Sequence, residues 1–376
     1  MLRAVRRPKR PCRRDKGRPV KSRKPPRVGL KDLAREVGVH VSTVSRALNP
    51  DSGHPVAPEL IEQIRKASKR LGYRQNLAAY SLKTSRSRTI GVVVPDITDA
   101  VFPPIIRGIE DGLAQFGYVA ILANTDGNTR RQAKVLETMR ARGVDGLILA
   151  SVLRSDRPVS HLAADLPVVT VSRRTDDPRF SSVVHDEDDG IGRLVTHLVS
   201  LGHRDIACIA GPQTVSTGFN RYNAFLRHRD VAGLQTRPAL VAFAKAFNEA
   251  EGERCAEELL AAGRPFTAVV CANDRLAIGA ISAFRRHDIA CPGDVSVTGF
   301  NDMPLMDRLS PSLTTVRVQH HKAGFEAAGV VVDLIENESS EPHHLVLPVE
   351  TIVRHSTARI RGTTKRKRTD MAGEQA

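Results

Sequence analysis

Residues 30–49 read LKDLAREVGVHVSTVSRALN, and the apolar positions in this stretch decide how the N-terminal part of the chain folds. Leu30, Leu33, Ala34 and Val37 recur at i, i+3, i+4 and i+7, which puts them on one face of a first helix. Gly38-Val39 interrupts that pattern, and Val41, Val44 and Leu48 then mark a second helix ending near Asn49-Pro50. A loop containing Pro50, Asp51, Gly53 and Pro55 leads to a third helix, with Pro58 in its first turn and Ile61, Ile64 and Leu71 facing inward. Three short helices with a glycine turn between the first two form a helix-turn-helix unit. The outward positions of the second helix are Ser42, Thr43, Ser45, Arg46 and Asn49. Short polar groups and one guanidinium suit a major groove, where Arg grips guanine or phosphate with two prongs. A merely solvated helix face is polar too. What tips the reading towards DNA is the glycine turn before this helix and the basic third helix beside it (Arg65, Lys66, Lys69, Arg70).

Outward from this unit, charge is distributed unevenly. The 376-residue chain has a formal net charge of +16, yet residues 1–28 alone carry 13 Lys/Arg and one acid, residues 29–84 carry nine basic and five acidic, and the remainder is balanced. A cationic arm next to a mildly basic domain points to a polyanion, with nucleic acid ahead of an anionic membrane. The arm, with almost no apolar residues, is expected to be disordered. It lacks the apolar run of a secretory signal, and translation starting at Val20 or a nearby codon is the alternative to a genuine arm. Apolar residues at 41% and charged ones at 26% exclude a wholly disordered chain, and no run reaches the roughly 18 to 20 apolar residues of a membrane span. Five scattered cysteines without a Cys-x-x-Cys pair indicate neither a disulfide framework nor a zinc ribbon, favouring a reducing, cytoplasmic setting.

Towards the C-terminus, Asn76 to Leu82 forms a short polar-to-apolar stretch, followed by a linker over 83–88. Strand-like runs then alternate with amphipathic helical stretches: 90–94, 119–122, 146–149, 168–171, 206–209, 268–271 and 295–297, with helices such as 105–116 and 132–142 between them. Continuous apolar strands separated by helices signal parallel sheets covered on both faces. Some 270 residues of this pattern exceed one open sheet. The fold class is therefore an α/β core of two Rossmann-like subdomains with a cleft between them, preceded by an all-α DNA-binding domain; a closed (β/α)₈ barrel is the structural rival. Enzyme signatures are missing: no phosphate-binding Gly-x-x-x-x-Gly-Lys-Ser/Thr, no Gly-x-Gly-x-x-Gly opening a helix, no Gly-x-Ser-x-Gly. His320-His321 and His343-His344 are adjacent pairs without the i, i+4 spacing of metal ligands on a helix, and no cofactor or metal is expected.

The ordered set Asp32-Leu-Ala-Arg-Glu-Val-Gly-Val39, Thr43-Val-Ser-Arg-Ala-Leu-Asn49, Leu71-Gly-Tyr73, Ile90-Gly-Val-Val-Val-Pro-Asp96, Leu201-Gly-His-Arg204, Gly211-Pro212, Ala272-Asn-Asp274 and Leu313-Thr-Thr-Val316 resembles the lactose-repressor/galactose-repressor (LacI/GalR) family of bacterial transcription regulators. The resemblance covers Leu30 to about Thr357 and implies a DNA-reading domain, a hinge helix, and a core like a type I periplasmic sugar-binding protein that dimerises and binds a small molecule. On that basis the expected limits are a basic arm over 1–28, the helix-turn-helix domain over 29–73, the hinge over 74–84, the core over 88–358 and a disordered tail over 359–376. Within the core, a first subdomain would comprise 88–185 and 315–342, and a second 186–314 and 343–358. DNA contacts are expected from Leu30, Ser42, Thr43, Ser45, Arg46, Asn49, Tyr73, Asn76, Ala79 and Leu82, with Leu82 as the apolar wedge of a hinge helix. The hinge is far shorter than the ~12 to 15 residues at which an isolated helix becomes marginal, so it should form only on DNA. Effector contacts are expected from Asp99, Phe102, Ser172, Arg173, His185, Arg221, Phe247, Asn273 and Asn301.

Departures from the family pattern lie at helix starts, where Gly29, His40 and Ala57 replace the usual Thr, Ser and Ser; each lost cap costs on the order of 1 kcal/mol, less for Gly. Asn301 stands where Asp is frequent, and Val318 where some members have Gln. The C-terminal tail has no leucine heptad, so a homodimer is expected and a tetramer is not. The resulting expectation is a cytoplasmic, nucleoid-associated regulator, most simply a repressor, with operator DNA and a sugar, nucleoside or related metabolite as partners and no membrane. A transport-type sugar-binding protein and a sugar-processing enzyme are the rivals.

Overall fold

The computed structural model describes residues 28–48, 56–73, 86–162, 166–235, 238–337 and 341–360. The chain divides into two compact units, Met1–Tyr80 and Ser81–Ala376. In the first, α1 (Leu30–Val37), α2 (Val41–Ala47) and α3 (Pro58–Leu71) surround a small core in which Leu33, Val44 and Ile64 are fully buried. α1 stops because Gly38 adopts φ +72°, a left-handed conformation that costs glycine little, and its N–H returns to the Ala34 carbonyl. Two of the three expected cap losses are made good. The Asp32 carboxylate accepts from the Gly29 N–H at 2.9 Å, and His40 is itself a cap, its Nδ1 accepting from the Ser42 N–H at 3.3 Å. Ala57 has no side-chain cap, and Pro58 opens α3.

The second unit holds two open parallel sheets, which sets aside the closed barrel. The larger has the order β11-β5-β4-β3-β1-β2, built from β1 (Thr89–Val94), β2 (Val119–Asn124), β3 (Gly146–Leu149), β4 (Val168–Val171), β5 (Ser181–His185) and β11 (His344–Leu347). The smaller has the order β7-β6-β8-β9, from β6 (Ile206–Ala210), β7 (Val241–Phe243), β8 (Ala268–Cys271) and β9 (Ser296–Thr298). β10 (Thr315–Arg317) and β12 (Glu350–Ile352) form an antiparallel pair. The connecting helices are α4 (Phe102–Gln115), α5 (Thr129–Ala141), α6 (Arg157–Leu162), α7 (Glu187–Ser200), α8 (Ser216–Val231), α9 (Glu249–Ala261), α10 (Asp274–Arg286) and α11 (His320–Glu336). All seven strand-like runs of the sequence are strands. α4 and α11 pack so closely that a Cβ on Gly108 would overlap the His321 carbonyl, and one on Gly324 the Ile105 carbonyl.

Two expected subdomain assignments need correction. β11, expected with the second subdomain, joins the larger sheet beside β5, with His344 opposite Ser182 and Leu347 opposite His185. β10, expected with the first, is bridged to the smaller sheet's side through Thr298–Thr314 and Asn301–Arg317, and Val316 is buried there beside Phe300. The chain thus passes between the halves after β5, after β10 and after β11. β11 is a half-exposed edge strand, so its hydrophobic pattern carried no mark of the sheet it would join.

Candidate functional site

The helical unit exposes Ser42, with Thr43, Ser45 and Arg46 partly exposed. Arg46 lies back along its own helix, with Nε donating to the Ser42 carbonyl at 3.3 Å and Nη2 standing 3.5 Å from Thr43 Oγ1. Leu30 and Tyr73 pack partly against the helical core, and burial raises the Tyr73 phenol above its ordinary pKa. On α3, Arg65, Lys66, Lys69 and Arg70 are exposed, Arg70 pairing with Glu36. Asn49, Asn76, Ala79 and Leu82, with the hinge, the arm over 1–27 and the tail beyond 360, lie outside the described residues.

In the second unit, eight of the nine expected effector residues line one cavity: Asp99, Phe102, Ser172, Arg173, Arg221, Phe247, Asn273 and Asn301, joined by Val101 and Thr217. They come from the C-terminal ends of strands and the helix starts that follow, where parallel sheets gather ligands. Asp99 and Phe102 follow β1, Ser172 and Arg173 follow β4, Thr217 and Arg221 sit on α8, Asn273 caps α10, and Asn301 follows β9. Ser172 (φ +63°) and Asn301 (φ +119°) hold positive backbone angles that are uncommon outside glycine, a concentration of strain typical of functional sites. Phe247 is seated against Gly211, where any Cβ would overlap its ring. About 40 Å³ is open in the cavity, room for on the order of three waters, so the two halves stand close together. A groove of about 560 Å³ lies elsewhere, along Asp189, Arg193 and His197 of α7, but it is wide open and the strand ends do not converge there.

Each charge in the cleft has a definable state. Arg221, which charge and sequence alone would place on the surface, is 6% exposed. Its Nε donates to Glu187 Oε1 at 2.9 Å and its Nη1 to the Ala272 carbonyl at 2.8 Å, and its guanidinium lies 3.9 Å from the Phe300 ring centroid. Glu187 is buried as well and also accepts from Asn220 Nδ2 at 3.0 Å. Asp99 accepts from the Val101 N–H at 3.0 Å and from Arg275 Nη1 at 3.2 Å, while Arg275 holds Glu249 with its other nitrogens at 2.9 and 2.8 Å. Asn273 Oδ1 accepts from the Leu276 N–H at 2.9 Å. Asp274, fully buried behind the cleft, is pushed up to about 6 by burial, although Thr315 Oγ1 and the Met303 N–H both donate to it.

His185 is the exception. It does not line the cavity; its ring meets that of His320 edge-on at 6.0 Å behind Arg221. Burial, then the neighbouring His320 and Arg221 charges, push His185 down to about 3, and burial followed by Arg221 pushes His320 down to about 4. Both imidazoles are neutral at pH 7, and His185 Nε2 and both His320 ring nitrogens are buried without a hydrogen-bond partner. His185 is the last residue of β5 and, buried beside His320, falls outside the residues that line the cavity. Val101 and Thr217 were missed because neither residue type signals a ligand; Thr217 stands out only as a hydroxyl in the first turn of a helix.

The halves are also joined directly. The Arg154 N–H donates to the Thr214 carbonyl at 2.9 Å, its guanidinium stacks 3.5 Å over Phe219, and the Arg174 N–H donates to Ser216 Oγ at 2.9 Å. Among the described residues no cluster of three His, Cys, Asp or Glu side chains is placed to hold a metal ion, and no helix is long and apolar enough to cross a membrane.

Comparison with known proteins agrees with this geometry. Residues 29–76 match "Bacterial regulatory proteins, lacI family", and residues 195–357 match "Periplasmic binding protein-like domain". The HTH-type transcriptional regulator RegA of Clostridium saccharobutylicum is 34% identical over 330 residues, 87% of this chain and 98% of that protein. The HTH-type transcriptional repressor CytR of Escherichia coli K12 is 30% identical over 87% of this chain and 96% of its own length. A solved structure of the transcriptional regulator CelR in complex with cellobiose is 29% identical, with a TM-score of 0.68, covering 88% of this chain and all of that one.

Proposed function

This chain belongs to the lacI family of bacterial regulatory proteins, DNA-binding transcriptional regulators with an effector domain, and on that footing we propose that it is a repressor switched by a small polar molecule held between its two sheets. The observation that carries the proposal is the convergence of Asp99, Arg173, Arg221, Phe247, Asn273 and Asn301, far apart in sequence, on one cleft. Fork-shaped donors, amides and an aromatic face suit a saccharide, nucleoside or related metabolite, and CelR is a relative whose structure holds cellobiose.

Operator DNA is read by Ser42, Thr43, Ser45 and Arg46 of α2, with Leu30 and Tyr73 at the edges of the helical unit and Asn49, Asn76, Ala79 and Leu82 completing the set. The protein works as a cytoplasmic homodimer on a pseudo-palindromic site. Support for pairing comes from the edge strand β2, where Val119 (64% exposed) and Leu122 (38%) stand beside Phe116 (42%), an apolar edge of the kind that proteins cover. An effector that fits the closed halves better than the parted ones shifts the balance between them, and through it operator affinity. Regulation involves no turnover of the effector. A transport-type binding protein is disfavoured by the helix-turn-helix unit ahead of the core.

The test is fluorescence anisotropy with duplexes from the region upstream of the gene, with and without cellobiose, ribose and nucleosides. One duplex should bind at least 10³-fold more tightly than random DNA at a stated salt concentration, and one ligand should change that ratio. Equal affinity for all duplexes would reject the regulator reading.

A further inference from the structure

Donor and acceptor capacity, atom by atom, narrows the ligands the cleft can take. Asp99 is the only carboxylate among the described residues that line the cavity, and each of its oxygens accepts one hydrogen bond, from the Val101 N–H and from Arg275, and keeps a further lone pair. Asn273 Oδ1 accepts from the Leu276 N–H, which leaves its amino group and one lone pair for a ligand. Arg221 has committed two nitrogens to Glu187 and Ala272. Arg173 differs from both of the other arginines: among the described residues its guanidinium has no hydrogen-bond or ion-pair partner, although Asp99 and Arg221 act on it from nearby with opposite signs. Burial draws it down to about 10, so it remains charged at neutral pH. A guanidinium has five N–H donors and no acceptor. Thr217, 5% exposed, adds a hydroxyl without a partner in the first turn of α8, a helix that has no side-chain N-cap and whose N-terminus favours negative charge.

A neutral polyol brings no charge to set against the Arg173 guanidinium, whereas an acceptor-only anion supplies both a counter-charge and acceptors for its N–H donors. Building on the reading of the cleft as the effector site, we propose that the effector is an anionic metabolite, a sugar acid or sugar phosphate, whose carboxylate or phosphate is held by Arg173 and Thr217 while its carbon frame lies against Phe247. Arg173 is then the residue that sets specificity. Charge-assisted, two-pronged pairing makes its contribution the largest in the site.

The experiment uses the full chain at constant ionic strength, with titrations of inorganic phosphate, gluconate, glucose, ribose 5-phosphate and ribose followed by thermal shift and calorimetry. Saturable binding of gluconate or ribose 5-phosphate, at least tenfold tighter than the neutral parent sugar, is expected, and which of the two binds separates the carboxylate from the phosphate. Arg173→Gln should weaken that binding by roughly 10 to 150-fold, Arg173→Lys should restore part of it, and Arg142→Gln, at an exposed arginine just after the end of α5, should leave it unchanged. No saturable binding by any of the anions, or binding indifferent to Arg173→Gln, overturns the proposal. Tight binding of a neutral sugar that is lost in Phe247→Ala rejects the anionic class while keeping the cleft as effector site. Anion binding indifferent to both Arg173→Gln and Phe247→Ala, together with ligand-dependent DNA release, rejects the cleft itself.

Discussion

Replacing Arg221 by alanine tests whether this arginine is a ligand contact or part of the framework. Arg221 and Glu187 are 6% and 8% exposed, and their ion pair ties α8 to α7. Without the guanidinium, Glu187 keeps only the Asn220 amide at 3.0 Å, the Ala272 carbonyl loses a donor at 2.8 Å, and Phe300 loses a cation stacked at 3.9 Å. An uncompensated buried charge costs about 3 to 5 kcal/mol. The lost stacking adds at most about 2 kcal/mol, and water entering the space left behind can serve the carbonyl, so the carboxylate decides the result. The expected loss is about 3 to 5 kcal/mol in the smaller half, read as faster hydrogen–deuterium exchange in peptides spanning β6 and β8. Loss of ligand response in Arg221→Ala then follows from a loosened half-domain as much as from a missing contact. Removing both charges, in Glu187→Gln with Arg221→Met, should cost less than the sum of the single changes by about 2 kcal/mol or more. Exchange in β6 and β8 within about 1 kcal/mol of the parent, or an additive cycle, would refute the reasoning.

Arg46→Ala should weaken operator binding by about 1 to 3 kcal/mol in a gel-shift titration, whereas near-parental affinity would move base reading to other residues of α2. Gly108→Ala should destabilise the larger half by about 1 to 3 kcal/mol in a urea titration, since α4 must move away from α11, while Gly329→Ala, on the same α11 with open space around the new methyl, should be neutral or stabilising by up to about 1 kcal/mol. Acid should weaken the fold. His185 titrates near 3 when folded against 6.5 ordinarily, so below pH 6.5 the unfolded chain takes up a proton that the folded one refuses, and stability falls by up to about 1.4 kcal/mol per pH unit. His320 acts in the same direction; Asp274, raised to about 6, opposes them below that pH because its folded form protonates first. Urea midpoints between pH 7.5 and 5 should decline in the parent and less steeply in His185→Asn; parallel profiles would show that this imidazole is not the source.

How much of this could be read from the sequence depended on whether the physics was local. α1, α2 and α3 were legible because a 3.6-residue period survives in short helices, and the apolar runs of β1, β3, β6 and β8 because both faces are buried, whereas β2 is a half-exposed edge strand legible from its apolar run alone. β5 (SSVVH), β7 (VAF), β10 and β12 are short or half-polar, and they are strands only because a neighbouring strand pairs with them. The cleft residues were found by resemblance to a family, since no spacing rule links Asp99 to Asn301. His185 shows the limit of that transfer, because a position carried over from relatives does not say whether its side chain lines the cavity or packs beside another buried ring.

The three arginines around the cleft carry the same point into chemistry. Arg173, Arg221 and Arg275 are one residue type with one formal charge, and nothing within a few residues of any of them in sequence tells their roles apart. Topology does. The crossover after β5 places Glu187 in the first turn of α7, against Arg221 on the adjoining α8, and the start of α9 places Glu249 beside Arg275, which also reaches Asp99 from the opposite half. Two of the guanidiniums are thereby tied into the framework, one holding α7 to α8 and one linking the two halves. Arg173, on the turn after β4, is left facing the cavity with its donors uncommitted. An anionic effector would therefore be paired chiefly by the arginine to which the fold gives no carboxylate partner among the described residues.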